Sequence, residues 1–494
     1  MSSPSDTIPR QDQTEFLASE IEQETKLMVD DSFRLPPLRG RTLPRRVFTS
    51  TYYDTADHCL ARAHITLRYR LEGRLGLWQL KLPLNGSRRE VELRGEETRV
   101  PSVLRDALIV HLEGKSLVPI SNLRTWRTGV RVPLGGGTEA DVVLDSVSVL
   151  KGGQLVERFR ELEIEWLRAN ASQGDHLTRM LRKAGARPHD GRPKLFRALS
   201  LAYDHPGPPP ADAPVRDHIQ YALTNYVQAL RRFDPGTRLG GEPEDLHQMR
   251  VTIRRLRAVL RSAHRLLDAD WADPLISGLT WLGRLFGNGR DLDVQIDYFR
   301  REASILPVRD RRPIDRFVSS LQEKRSAFQR LLVDEMRSAH YQSFLSKLQF
   351  DAHEARVVER KTETLKNVAA RQFKKLCKVM RRVPKKPSNE ELHRVRIKAK
   401  RARYAAELAA PCVGKGATRF AKAAKAFQDL LGVHQDAVLA EQYVRAFLKR
   451  SPGDRASFVG GLLVARAHRR REEVREKYRS IWKRVRKRGK KVWC

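Results

Sequence analysis

Before residue 206 the chain alternates apolar and polar residues in short runs broken by Gly, Pro and Asp turns. This period-two pattern predicts β-strands over residues 21–29, 65–71, 77–82, 88–93, 124–132, 140–150 and 162–167, with one short helix over 176–184. Further on, apolar residues recur at a period near 3.6 and strand patterns vanish. The change falls at Pro206-Gly207-Pro208-Pro209-Pro210-Ala211-Asp212-Ala213-Pro214, a stretch that suits neither a helix interior nor a sheet centre. A chain of 494 residues is also too long for one hydrophobic core. The expected organisation is an N-terminal domain over 14–205, a Pro-rich linker over 206–214 and a helical domain over 215–494.

Several of the strands alternate charge. Glu22, Glu24 and Lys26 share one face, with Glu20 in the same phase, and Ile21, Leu27 and Val29 form no clean apolar face opposite. Arg68 and Arg70 alternate, as do Arg88, Glu90 and Glu92. Glu161, Glu163 and Glu165 alternate against Leu162, Ile164 and Trp166. One such strand is ordinarily a solvated face with cross-strand ion pairs. Four with the same habit favour a closed antiparallel barrel, apolar outside against helices and charged in its lumen. Lumenal carboxylates suit a hard cation such as Mg²⁺ or Mn²⁺. Interleaved Arg and Lys suit phosphate oxygens.

The helical part contains a repeat. The segment His247 to Arg257 is echoed by His393 to Arg403, 146 residues on. Leu285-Phe286-Gly287 with Asp291 is echoed by Leu430-Leu431-Gly432 with Asp436, 145 residues on. Two related four-helix bundles are expected. At helical spacing His247, Arg250, Arg254 and Arg257 share one stripe, and Met249, Ile253, Leu256 and Leu260 lie opposite. In the second copy His393, Arg396, Lys400 and Arg403 form the stripe, and Val395, Ala399, Ala402 and Ala406 the buried side. Exposed basic faces are common on soluble helices. A histidine repeated at the same phase favours an anion site, and neither histidine has a second ligand at metal-binding spacing. Gly289-Arg290-Asp291-Leu292-Asp293 is expected as a loop, with Val433-His434-Gln435-Asp436 as its counterpart.

Charge sharpens this picture. The net charge is +36, from 95 Lys and Arg against 59 Asp and Glu. Only 32 of those bases and 27 of those acids precede residue 206, so the helical part carries most of the excess and should attract a polyanion. No run of 18 apolar residues suggests a membrane span. The N-terminus lacks a basic start followed by an apolar core, so no secretory signal is expected. Four scattered cysteines form no CxxC pair. A cytoplasmic location is expected.

Residues 14–203 resemble the CYTH, or triphosphate tunnel metalloenzyme, superfamily. The ordered matches are Glu22-x-Glu24-x-Lys26, Tyr53-Asp54-Thr55, Arg68-x-Arg70, Lys81, Arg88-x-Glu90-x-Glu92, Arg127, Asp145, Glu163-x-Glu165 and Lys194. The resemblance implies an eight-stranded antiparallel tunnel, so the fold class expected for the whole chain is α+β. It implies that Glu22, Glu24, Asp145, Glu163 and Glu165 hold metal or its waters. It implies that Lys26, Arg68, Arg70, Lys81, Arg88, Arg127 and Lys194 grip phosphates, with Glu22, Glu24, Lys26 and Lys194 as the catalytic set. Members often carry Lys two residues before the Arg127 position, where this chain has Thr125. Residues 214–490 resemble the CHAD domain, a helical module associated with inorganic polyphosphate. The matching residues are His247, Arg250, Arg254, Arg255, Arg257, His393, Arg396, Lys400, Arg401 and Arg403.

The expected function is metal-dependent hydrolysis of inorganic triphosphate and short polyphosphate, with polyphosphate held by the helical domain. Two alternatives stand beside it: a polyphosphate-binding tether with weak turnover, and a nucleotide triphosphatase or adenylate cyclase acting on ATP. Specific nucleic-acid binding is not expected, since no base-reading motif or interleaved aromatic platform is present.

Overall fold

The structure is a computed structural model that describes residues 15–84, 87–167, 174–201, 207–240, 242–358, 363–451 and 453–494, with the side chains of 15–22 outside the description. The chain divides into two compact units, Met1–His205 and Pro206–Cys494. Among the described residues no helix is long and apolar enough to cross a membrane.

The first unit is built on one antiparallel sheet of eleven segments. They are β1 (Glu15–Glu22), β2 (Glu24–Met28), β3 (Arg41–Thr42), β4 (Arg46–Asp54), β5 (Thr66–Glu72), β6 (Leu75–Pro83), β7 (Arg88–Arg94), β8 (Val118–Gly135), β9 (Thr138–Lys151), β10 (Gln154–Trp166) and β11 (Arg187–Pro188). The strand order is β1-β7-β6-β5-β4-β8-β9-β10-β2-β11. Only Gln23 separates β1 from β2, yet β1 pairs with β7 and β2 with β10, at opposite ends of the series. This interrupted strand therefore closes the sheet into a tunnel. Counted once, and with the two-residue β3 and β11 set aside, it gives the eight strands that the CYTH resemblance implies.

Alternation along β10 sets the inside and the outside. Leu162, Ile164 and Trp166 face out and pack with Leu27, Val142 and Leu144 against Leu177 and Leu181. The last two belong to one face of a short helix, α3 (Asp175–Lys183), which follows α1 (Cys59–Arg62) and α2 (Ser102–Leu112). Each fully buried Leu or Ile contributes about 1.5–3 kcal/mol. A one-residue slip would reverse every side chain, so this outer layer fixes Glu161, Glu163 and Glu165 inward. Farther along, the inward face turns apolar: Phe159 pairs with Val147 where Glu161 pairs with Asp145. Tyr52, Leu123 and Val149 join that cluster, together with Leu195 from α4 (Lys194–Ala198).

Among the longer elements, α2 and β4 have no forerunner in the pattern. In β4 the inward Arg46, Phe48, Ser50 and Tyr52 alternate with Val47, Thr49, Thr51 and Tyr53. Both faces mix polar and apolar residues, so no alternation is visible. The Tyr53-Asp54-Thr55 match proves structural: the buried Asp54 carboxylate accepts from the backbone N–H groups of Thr55, Leu60 and Ala61 at 2.7–2.9 Å.

The second unit holds α5 (Val215–Leu239), α6 (Pro243–Ala263), α7 (Ala269–Leu285), α8 (Gly287–Ser304), α9 (Val308–Arg337), α10 (Ala339–His353), α11 (Leu365–Arg381), α12 (Asn389–Val413), α13 (Lys415–Arg450) and α14 (Asp454–Trp493). The 146-residue repeat maps α6 onto α12 and α9 onto α14. It maps α7 and α8 together onto the unbroken α13. The two copies share a core. Phe299 of α8 and Phe317 of α9 meet Phe447 of α13, with ring centroids 5.0–5.8 Å apart, and Val459 of α14 closes the cluster. The loop expected at 289–293 is instead helix, inside α8. Gly289 serves close packing there: a Cβ would meet Phe328 at 2.3 Å.

Candidate functional site

The tunnel interior is a cavity of about 350 Å³, within the range of small-ligand sites. Glu24, Lys26, Arg68, Arg70, Lys81, Arg88, Arg127, Glu163, Glu165 and Lys194 all line it. The side chain of Glu22 lies outside the described residues; its backbone pairs with that of Arg88 across β1 and β7.

One wall, from β2, β8, β9 and β10, is a dense ion-pair cluster. Arg127 grips Asp145 with two hydrogen bonds of 2.8 Å and reaches Glu163 at 2.8 Å and Glu165 at 2.7 Å. Lys26 meets Glu163 at 2.9 Å and Glu24 at 3.3 Å. Lys194, at the start of α4, meets Asp145 at 2.6 Å, Glu163 at 3.1 Å and Glu161 at 3.6 Å. Register explains the gathering: Arg127 pairs with Asp145, Asp145 with Glu161, Glu163 with Lys26 and Glu165 with Glu24. Burial raises Glu163, but Lys194, Lys26 and Arg127 together hold its carboxyl well below the ordinary range. Asp145 and Glu161 are likewise lowered against burial, Asp145 by Lys194 and Arg127, and Glu161 by its hydrogen bond to His189 and by Lys194. Burial pulls Lys26, Arg127 and Lys194 down, and the carboxylates more than reverse it.

These shifts carry a stability consequence. A carboxyl whose folded pKa lies below its unfolded value stabilises the fold above the unfolded value and loses that stabilisation as pH falls through the folded one. Urea midpoints for loss of the β signal are expected to hold from pH 7 to about 5 and to fall below about pH 4. An unchanged midpoint at pH 3 would contradict this account.

The facing wall, from β4 to β7, is basic. Arg68 donates to Gln79 at 2.7 Å and to the Tyr52 hydroxyl at 3.3 Å. Glu72 clamps Arg46 with two bonds of 2.6 Å and holds Arg70 at 2.8 Å. Arg70 lies over the Phe48 ring, 3.7 Å from its centroid. Lys81 meets Glu90 at 3.3 Å. Burial, then the charges of Arg68 and Arg46, push Arg70 down to about 10. Such a cluster favours an anion that spreads several charges along it.

Mg²⁺ and Mn²⁺ take carboxylate oxygens, and the tunnel offers Glu24 and Glu165 directly opposite one another with Glu163 beside them. One buried oxygen of Glu161 lacks a hydrogen-bond partner. The donor set fits such a cation chemically. Among the described residues, no three His, Cys, Asp or Glu side chains gather closely enough to hold a metal alone.

In the helical unit the two repeats bring their basic faces together. Met249, Ile253, Leu256 and Leu260, and Val395, Ala399, Ala402 and Ala406, are all buried, which turns both His-basic stripes away from the core. Arg254, Arg257, Lys400 and Arg401 line a groove of about 510 Å³ between α6 and α12, joined by Arg261 and by Lys375 of α11. Burial, then Arg396, Arg254, Arg403 and Arg250, push Lys400 down to about 8. The first copy's arginines thus act directly on the second copy's lysine. Arg250 holds the Gly287 carbonyl and Asp291, the latter at 3.2 Å, and in the second copy the charge of Arg396 acts on Asp436.

Other residues of the set are placed differently. Arg403 is buried over the Tyr404 ring, 4.5 Å from its centroid, and supports the hydroxyl that accepts from Arg254 at 2.9 Å. Arg255 turns toward Tyr226 of α5, 5.8 Å from that ring centroid. Burial, then the charge of Arg290, lower the His247 pKa below its ordinary value. His393 shares a 2.7 Å hydrogen bond with Gln435 through Nδ1.

A family model of the CYTH domain matches residues 20–189, and one of the CHAD domain matches residues 221–445. The chain is a CYTH domain followed by a CHAD domain. An uncharacterized protein of Mycobacterium tuberculosis, strain H37Rv, is 28% identical over 518 aligned positions, covering 95% of this chain and 98% of that protein. The CHAD domain of the plant Ricinus communis is 25% identical with a TM-score of 0.46, over 56% of this chain and 94% of that one. PptA from Streptomyces chartreusis is 19% identical with a TM-score of 0.45, over 55% of this chain and 100% of that one. The CYTH assignment makes the tunnel a triphosphate-type site, which acts on phosphate compounds and belongs to a class that depends on divalent metal.

Sequence patterns missed several CYTH tunnel residues. Arg46, Phe48, Ser50 and Tyr52 line the cavity from the unpredicted β4. Glu161 was in phase with the motif, and it is fully buried and holds Lys194 and Arg197. Thr125, which stands where family members often carry Lys, lines the cavity and is buried.

Proposed function

We propose that the CYTH tunnel hydrolyses inorganic triphosphate and short polyphosphate with a divalent cation, and that the CHAD groove binds polyphosphate. The observation that carries this reading is the opposition of two walls across one small cavity: Arg46, Arg68, Arg70 and Lys81 on one side, and Glu24, Glu163 and Glu165 on the other. A linear triphosphate lies along the basic wall, where the guanidinium groups neutralise oxygens that would repel a nucleophile and meet the charge growing on the leaving pyrophosphate. Glu24, Glu163 and Glu165, with Glu22, would hold Mg²⁺ or Mn²⁺, which neutralises phosphoryl charge and lowers the pKa of bound water. Lys26, Arg127 and Lys194 keep those carboxylates oriented. Asp145 and Glu163, held below the ordinary carboxyl range, stay anionic and are poor proton acceptors.

The test is phosphate release from inorganic triphosphate with Mg²⁺ or Mn²⁺, with ATP in parallel. Metal-dependent release, faster from triphosphate than from ATP and lost in Glu22→Ala/Glu24→Ala, is the expected result. Faster turnover of ATP would move the assignment to nucleotides. No release from either, in folded protein, would leave a binding tether.

A further inference from the structure

A second groove of about 870 Å³ lies between α11 and the last turns of α14. Among the described residues, eight lysines and arginines line it, including Lys374, Lys375, Lys378, Arg381, Lys483 and Arg486, and no aspartate or glutamate does. Its floor is apolar. Phe373 and Met380 are buried there, and Trp482 already packs on Phe427, with centroids 5.8 Å apart. Lysine and arginine stems lie along such a floor while their charged heads reach water. Like charges gathered this densely repel, which works against folding unless an anion compensates.

The repeat shows that the fold does not demand this lining. Lys378 and Lys483 correspond to Arg232 and Arg337, but Lys374, Lys375, Arg381 and Arg486 correspond to Gln228, Ala229, Pro235 and His340. The counterpart of Trp482 is the fully buried Met336. The basic groove is thus largely a feature of the second copy. It also adjoins the α6–α12 groove, because Lys375 lines both.

We propose that this groove is a second anion site, which takes the continuation of an inorganic polyphosphate chain whose first segment lies between α6 and α12. It rests on the reading of that first groove as a polyphosphate site. A chain of linked phosphates carries charge at every unit and no bases, which matches a run of cations without reading groups and an indole already engaged by Phe427. Bound at both grooves, a long chain gains from effective concentration what a short chain cannot.

Full-length protein is titrated with short-chain and with long-chain inorganic polyphosphate. Lys374→Glu/Lys378→Glu/Arg486→Glu is expected to weaken long-chain binding about tenfold or more, with short-chain binding unchanged and a melting temperature equal to or above that of wild type. Alkylation gives a second readout without substitution. Cys377 and Cys494 line the groove, whereas Cys59 and Cys412 do not. Long-chain polyphosphate is expected to slow modification of the first pair and spare the second. Long-chain affinity within twofold of wild type, or equal alkylation rates, would overturn the inference while Arg254→Glu/Lys400→Glu still tests the first groove. Absence of polyphosphate binding by the wild type would remove both. Loss of single-stranded DNA binding alone in the triple variant would assign the groove to nucleic acid and overturn it too.

Discussion

Glu163→Gln is expected to lower kcat/KM for inorganic triphosphate by about 10²–10³-fold. Glu163 is shared by three cations at short range: Lys26 at 2.9 Å, Arg127 at 2.8 Å and Lys194 at 3.1 Å. The amide keeps shape and some hydrogen bonding but removes the charge that these three cations share. They are then free to bind the ground-state substrate harder, and a hard donor for the proposed cation is gone. The expected kinetic signature is a fall in kcat with KM unchanged or lower, and a higher metal requirement. Removing one partner of a buried ion pair costs about 3–5 kcal/mol at the extreme, so melting is measured alongside. A folded variant within threefold of wild-type kcat/KM would refute this role.

The tunnel was legible because four strands place alternating charges on one face, a habit that, repeated, favours a closed barrel over a solvated sheet. Glu161, Glu163 and Glu165 against Leu162, Ile164 and Trp166 locate both the lumen and the outer layer, and α3 packs where that pattern requires. β4 was illegible for the converse reason. It supplies Arg46 and Tyr52 to the site, yet its inward face changes from charge to aromatic to hydroxyl within four alternate positions. The Glu72 clamp on Arg46 and Arg70 joins two strands, and local spacing encodes no such partner. In the CHAD domain the stripe on each helix was readable, and so was the repeat. The sequence could not show which stripe residues stay in the groove. Arg403 shares the phase of Lys400 but is buried on Tyr404, because an arginine stem near the core packs on an available ring.

The largest binding effect is expected from Arg254→Glu/Lys400→Glu, which should weaken polyphosphate binding by about 100-fold or more at moderate salt, since two attractive contacts become repulsive in a partly desolvated groove. Lys400 adds a pH signature. In the free protein its pKa is about 8, below the ordinary lysine value, because of burial and the surrounding arginines. A polyanion stabilises the charged lysine and raises that pKa. Affinity is therefore flat below about pH 7, where Lys400 is charged both free and bound. It then falls as pH rises through 8 toward the bound-state value, by at most about tenfold per pH unit. Lys400→Arg, which stays charged, should bind with little change between pH 7.5 and 9.5. The same shift has the opposite sign for folding. A charged Lys400 costs stability below pH 8, and that cost disappears as pH approaches the unfolded lysine value near 10.5. Lys400→Met should therefore melt higher at pH 7, by about 2 °C or more, while binding polyphosphate less tightly. A methionine variant that melts lower and binds equally well would show that Lys400 is a packing residue. The convergence of the two CHAD repeats would then lose its role in binding.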